Sequence, residues 1–151
     1  MINEILTEGG FLTIKQLSVF LENRTGQLVQ ITDILSKNGV NMRAVNIAET
    51  VDYGVLRLIA DDSDKAFRIL SEAGFVVSEN TVEAVAVPDR AGGLNEVLHI
   101  LSENGADIEY MYSVFGSRES LAYMIFKFKD NAPFEKAVEK GLLKSADNLT
   151  Q

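Results

Sequence analysis

The chain has 151 residues, 46% hydrophobic and 24% charged, which suits one ordinary globular domain or two very small ones. Its net charge of −8 opposes nucleic acid and an anionic membrane surface as partners, because both call for basic residues. The absence of cysteine excludes disulfides, thiolate metal sites and cysteine nucleophiles together.

Residues 1–12 read as a leader. They carry Glu4 and Glu8, lack the basic start of a signal peptide, and break at Gly9-Gly10. No apolar run in the chain approaches the ~18 residues of a membrane span. A cytoplasmic location with no membrane partner is expected.

The regular pattern begins near Thr13. Leu17, Val19 and Leu21 alternate with Ser18 and Glu22, which predicts a strand, although Phe20 breaks the alternation. A loop follows, then a helix with Leu28, Ile31 and Leu35 on one face, ended by Asn38-Gly39. Residues 40–50 read as a second strand. Asp52-Tyr53-Gly54 turns the chain into a third over residues 55–60. Ser63 or Asp64 caps a second helix with Ala66, Phe67, Ile69 and Leu70 apolar, ended by Gly74, and residues 75–78 begin a fourth strand.

The pattern then repeats. Asn23-Arg24-Thr25-Gly26-Gln27-Leu28 recurs 66 residues later as Asp89-Arg90-Ala91-Gly92-Gly93-Leu94. From Arg24 to Gly39, eight of sixteen positions are identical at that shift, where chance gives about one. The second copy has expected strands at residues 82–87, 108–115 and 121–129. Its helices are expected near 92–104 and 133–140, the latter ended by Gly141, with a short last strand at 142–145. The order βαββαβ, twice, is that of two ferredoxin-like α+β domains, each an antiparallel sheet with both helices on one face. The expected domains are residues 13–79 and 80–151. Each is small enough to be marginal alone, so packing against each other and a homodimer are expected.

The loop before the first helix is the best-repeated feature. Gly26 and Gly92 let backbone come close to a ligand and open helices whose first N–H groups lack internal partners. Such an end receives a carboxylate. Asn23 and Asp89 can accept hydrogen bonds from an ammonium group, so the loop offers what a zwitterionic amino acid needs. Taken singly, each of these residues also reads as an ordinary cap or turn.

These residues carry a resemblance. The two loops are similar to the [N/D]-R-P-G-x-L loop of ACT domains, with Thr25 and Ala91 in place of its proline. Gly39-Val40-Asn41-Met42 resembles the start of their second strand, and the likeness runs from about Thr13 to Ser145. It implies small tandem ACT domains, paired side by side, binding a free amino acid where two domains meet. The candidate ligand-binding residues it implies are Asn23, Arg24, Thr25, Gly26, Gln27, Leu28, Asn41 and Met42 in the first repeat. Asp89, Arg90, Ala91, Gly92, Gly93, Leu94, Asp107 and Ile108 match them in the second. In the serine-sensing ACT domain a loop Asn and a strand Asn from different domains hold the effector. Asn23 and Asn41 match those positions, but Leu21 and Val87 stand where that domain has histidine. Pairing within the chain would join Asn23 to Asp107 and Asp89 to Asn41. Pairing of like repeats would oppose Asp89 and Asp107, two carboxylates that repel.

Other residues carry less. His99, the only histidine, is expected to face water, with no second ligand to complete a metal site. Glu79, Glu83, Asp61, Asp62 and Asp64 read as solvated edges and a helix start, and Tyr110 and Tyr112 as one face of a strand. The same topology serves acylphosphatases, RNA-binding modules and metal chaperones. The phosphate loop, the basic aromatic sheet and the C-x-x-C those need are missing here. The expected function is a non-catalytic regulatory protein of amino-acid metabolism without cofactor or metal. The alternative is a regulatory small subunit of a biosynthetic enzyme, similar to that of acetolactate synthase, with that enzyme as partner.

Overall fold

A computed structural model describes residues 4–6, 12–22, 24–49, 52–118 and 120–145. Within the expected leader, Glu4–Leu6 forms a short strand, β1, and the next strand already begins at Leu12. The rest of the chain divides into two compact units, one built on Lys15–Thr81 and one from Val82 onward.

The first unit follows the expected order. Most of β2 (Leu12–Glu22) leads through α1 (Gln27–Lys37) to β3 (Met42–Glu49) and β4 (Tyr53–Ala60). Helix α2 (Ser63–Glu72) and the start of β5 (Val77–Pro88) complete it. β4 lies between β2 and β3, antiparallel to both, with Leu17 opposite Leu58 and Val19 opposite Leu56. The chain entering β5 runs beside β2, where the Phe20 N–H donates to the Val76 carbonyl at 2.9 Å.

Period-two alternation aims Leu17, Val19 and Leu21 of β2, and Leu56, Leu58 and Ala60 of β4, at one side of this sheet. Ile31 and Leu35 of α1, and Ala66, Ile69 and Leu70 of α2, meet them there, so both helices cover one face. Phe20 breaks the alternation in sequence because its ring lies outside this core: it is 50% exposed and stacks on Tyr53 at 5.3 Å. The helix-free face carries a cross-strand row of Ser18, Arg57 and Asn46, with Arg57 Nη1 donating to Asn46 Oδ1 at 3.4 Å. The corresponding row of the second unit is apolar: Ala84, Ile125 and Tyr112.

The second unit uses the rest of β5, α3 (Gly93–Glu103), β6 (Ile108–Arg118), β7 (Leu121–Phe128) and α4 (Ala132–Glu139). β7 is antiparallel to both β5 and β6. Val85, Val87, Val97 and Leu101 pack with Phe126, Phe128 and Phe134. The three rings stack at 5.6 and 5.2 Å, an aromatic core where the first unit has an aliphatic one.

Four boundaries differ from expectation. The strands expected at 75–78 and 82–87 form one twelve-residue strand, β5, because nothing between Val77 and Val87 breaks an extended chain before Pro88. β4 starts at Tyr53, inside the expected turn. The cap of α2 is Asp62 rather than Ser63 or Asp64: its carboxylate accepts the Lys65 N–H at 3.0 Å. The short last strand reduces to a single bridge, Ser145 opposite Val85.

Candidate functional site

In the first repeat, Gly26 takes the left-handed conformation at the start of α1, with φ of 89°, and no side chain caps the helix. Gly92 does the same at α3 with φ of 82°, so glycine is required at both positions by the turn itself. The Gln30 N–H begins the α1 ladder on the Gly26 carbonyl at 3.0 Å. Asn23 lies outside the described residues. Arg24 is exposed, its Nε bound to Glu22 at 2.8 Å. Thr25 and Gly26 are exposed and Gln27 is half-buried, with its Oε1 buried and without a hydrogen-bond partner among the described residues. Leu28, expected on the buried face of α1, is 39% exposed, because the first turn leaves it lining a cleft instead of the core.

That cleft, of about 170 Å³, joins Arg24, Gly26, Gln27 and Leu28 to Ile47 and Glu49 at the far end of β3. A larger one, of about 520 Å³, adjoins it and brings Arg24 and Gln27 together with Phe20, Tyr53, Phe75 and Val76. Asn41 is elsewhere. It precedes the opposite end of β3, where its N–H donates to Asp61 Oδ1 and its carbonyl accepts the Asp61 N–H, both at 3.0 Å. An eight-residue strand at about 3.3 Å per residue separates that end from the loop by more than ~20 Å. Met42 packs against the core.

The second repeat uses the same backbone differently. The Asp89 N–H donates to the Ser120 carbonyl at 2.7 Å, and the Gly93 N–H to the Arg90 carbonyl at 3.0 Å. Arg90 Nη2 reaches both oxygens of Glu96 at 2.8 Å. A Cβ at Gly93 would run into the Pro88 carbonyl oxygen, so the loop is pressed onto the end of β5. Ala91 and Gly92 are exposed, whereas Leu94 and Ile108 pack against the core. Asp107 binds Lys129 Nζ at 2.7 Å, which raises the lysine pKa through that hydrogen bond and the charge behind it. The strand-start position is thus an Asn against an Asp in one repeat and an Asp against a Lys in the other.

Among the remaining candidates, His99 is exposed as expected. Tyr110 and Tyr112 stack at 6.4 Å. Glu83 is not a solvated edge: it is 1% exposed on β5, accepting a hydrogen bond from Asn131 Nδ2 at 2.9 Å while Oε2 has no partner among the described residues. Burial, and then the charge of Glu135, push its pKa up to about 7, with Lys127 opposing. The sequence carried a signal, a single carboxylate within the apolar run Val82 to Val87, but the Asn131 and Glu135 side chains that act on it come from the distant α4 region. No cluster of three or more potential ligands suits a metal ion among the described residues. No described helix is long and apolar enough to cross a membrane.

Comparison with known proteins gives a family match over residues 12–150, to the family described as an ACT domain pair. The crystal structure of protein BT0572 from Bacteroides thetaiotaomicron is 37% identical, covering 91% of this chain and 95% of its own, with a TM-score of 0.80. The ligand-free regulatory subunit of aspartate kinase from Thermus thermophilus shares the fold, with a TM-score of 0.60 at 13% identity over 85% of this chain and 87% of that one. The corresponding subunit from Thermus flavus gives 0.54 at 12% identity over 83% and 90%. No curated protein matches the sequence.

Proposed function

This chain belongs to the ACT domain pair family, and from that premise we propose that it is a non-catalytic regulatory protein that binds a free amino acid. The observation that carries this reading is the first-repeat loop. A left-handed Gly26 opens an uncapped α1 beside a cleft lined by Arg24 and Gln27, and the buried Gln27 Oε1 has no hydrogen-bond partner among the described residues. Helix N–H groups and a guanidinium suit a carboxylate, and amide or carboxylate oxygens suit an ammonium group. Asn23 and Asp89 would supply the loop oxygen, with Asn41, Met42, Asp107 and Ile108 as the matching strand ends. Loop and strand end of one unit lie too far apart to hold the same small molecule. A site that uses both therefore takes its loop and its strand end from different domains.

A thermal-shift screen of the twenty amino acids tests the reading. Ligand at one hundred times its dissociation constant should stabilise by about 2.7 kcal/mol and raise Tm by several degrees. No shift with any of them would overturn it.

A further inference from the structure

The 520 Å³ cleft falls in the size range of small-molecule sites and shares Arg24 and Gln27 with the loop, while its apolar side lies outside the loop-and-strand constellation described above. Its apolar side is formed by the stacked Phe20 and Tyr53, then Phe75 and Val76, while Glu22, Gln30 and Asp52 also line it. Phe20, Tyr53 and Val76 are 50%, 44% and 68% exposed and line this one cleft together. Arg24 and Gln27 line this cleft and the loop cleft alike, so the two are continuous through the residues suited to an amino acid's charged ends. Glu22 occupies Arg24 Nε and leaves both Nη nitrogens without a partner among the described residues, the geometry that takes a carboxylate end-on.

We infer that the ligand is an amino acid with a large apolar side chain, aromatic or branched, seated in this cleft with its charged ends at Arg24 and Gln27. The inference rests on the sensor reading and adds the ligand class and the residues that select it. It also assigns one such seat per chain. The matching cleft of the second repeat is about 260 Å³, lined by Pro88, Leu121, Leu142 and Leu143. There Arg90 is engaged by Glu96 and does not line the cleft.

Isothermal titration of the full chain with phenylalanine, leucine, serine, aspartate and lysine tests this. Phenylalanine or leucine should bind at least tenfold more tightly than the three polar amino acids, one per chain. Phe20→Ala should weaken that binding at least tenfold, and Leu142→Ala, in the smaller cleft, should leave it within twofold. Phe20 is half-exposed, so its replacement is not expected to unfold the chain, and Val76→Asp gives an independent obstruction with the same expected loss. Preference for a polar amino acid, or full affinity in Phe20→Ala and Val76→Asp, would overturn the inference and leave the sensor reading standing. A changed oligomeric state in Phe20→Ala with affinity intact would assign the patch to a protein contact and overturn it too. Absence of binding by any amino acid would remove both.

Discussion

Glu83 shows how one side chain can set the pH dependence of a fold. Its ordinary pKa of 4.5 rises to about 7 in the folded chain. Between those values the folded chain keeps a proton that the unfolded chain has lost. Stability therefore falls as pH rises through that window, and the contribution is gone above it. At about 1.4 kcal/mol per unit the full effect is on the order of 3 kcal/mol. Glu83→Gln imitates the protonated form and keeps the acceptor for Asn131. Chemical denaturation should find the variant close to wild type at pH 5 and more stable by about 2–3 kcal/mol at pH 8. Equal stability at both pH values would show that the carboxyl is not strained by burial. Gly93 is the second residue with a definite sign. Its missing Cβ is what lets the loop touch the Pro88 carbonyl. Gly93→Ala should destabilise by roughly 1–3 kcal/mol despite alanine's better helix propensity. A gain in stability would mean that the contact relaxes freely.

At the level of elements, the sequence was most legible where short-range chemistry decides. Asn38 and Asn104 fold their side-chain amides back onto the Ile34 and Ile100 carbonyls, at 2.8 Å each, and the helices end where the Asn-Gly pairs stand. The alternation of Leu17, Val19 and Leu21 gave the buried face of β2 despite Phe20. Choices between neighbouring candidates were harder. Asp62, Ser63 and Asp64 are all plausible caps, and only the backbone shows that Asp62 reaches the Lys65 N–H. Asp62→Ala should cost about 1 kcal/mol, read by denaturant unfolding, whereas Asp64→Ala should cost less, since Asp64 only joins the exposed end of an ion pair with Lys15. The continuity of β5 was hidden because polar Glu79 and Asn80 look like a connection. In the structure they are strand residues, with Glu79 bound to Lys15 at 3.3 Å and Asn80 facing Gln16 and Ser18.

Across the whole molecule, duplication explains the family membership and divergence explains the division of labour. The two loops share Arg-x-Gly-x-Leu, and the sequence showed that identity plainly. It did not show that Arg90 would be captured by Glu96, or that Gly93 would be pressed against Pro88. Those contacts depend on residues outside the motif: Glu96 replaces Gln30, and Pro88 replaces Glu22. The apolar cleft was invisible for the same reason, because Phe20, Tyr53 and Val76 come from three separate segments. The apolar seat for a ligand therefore belongs to the first repeat, whereas in the second the loop arginine is held by Glu96. Calorimetric titration of the intact chain with the amino acid that shifts its melting temperature most is the direct measurement. Saturable binding of one molecule per chain is the expected result. No binding of any amino acid, or two equal sites per chain, would contradict it.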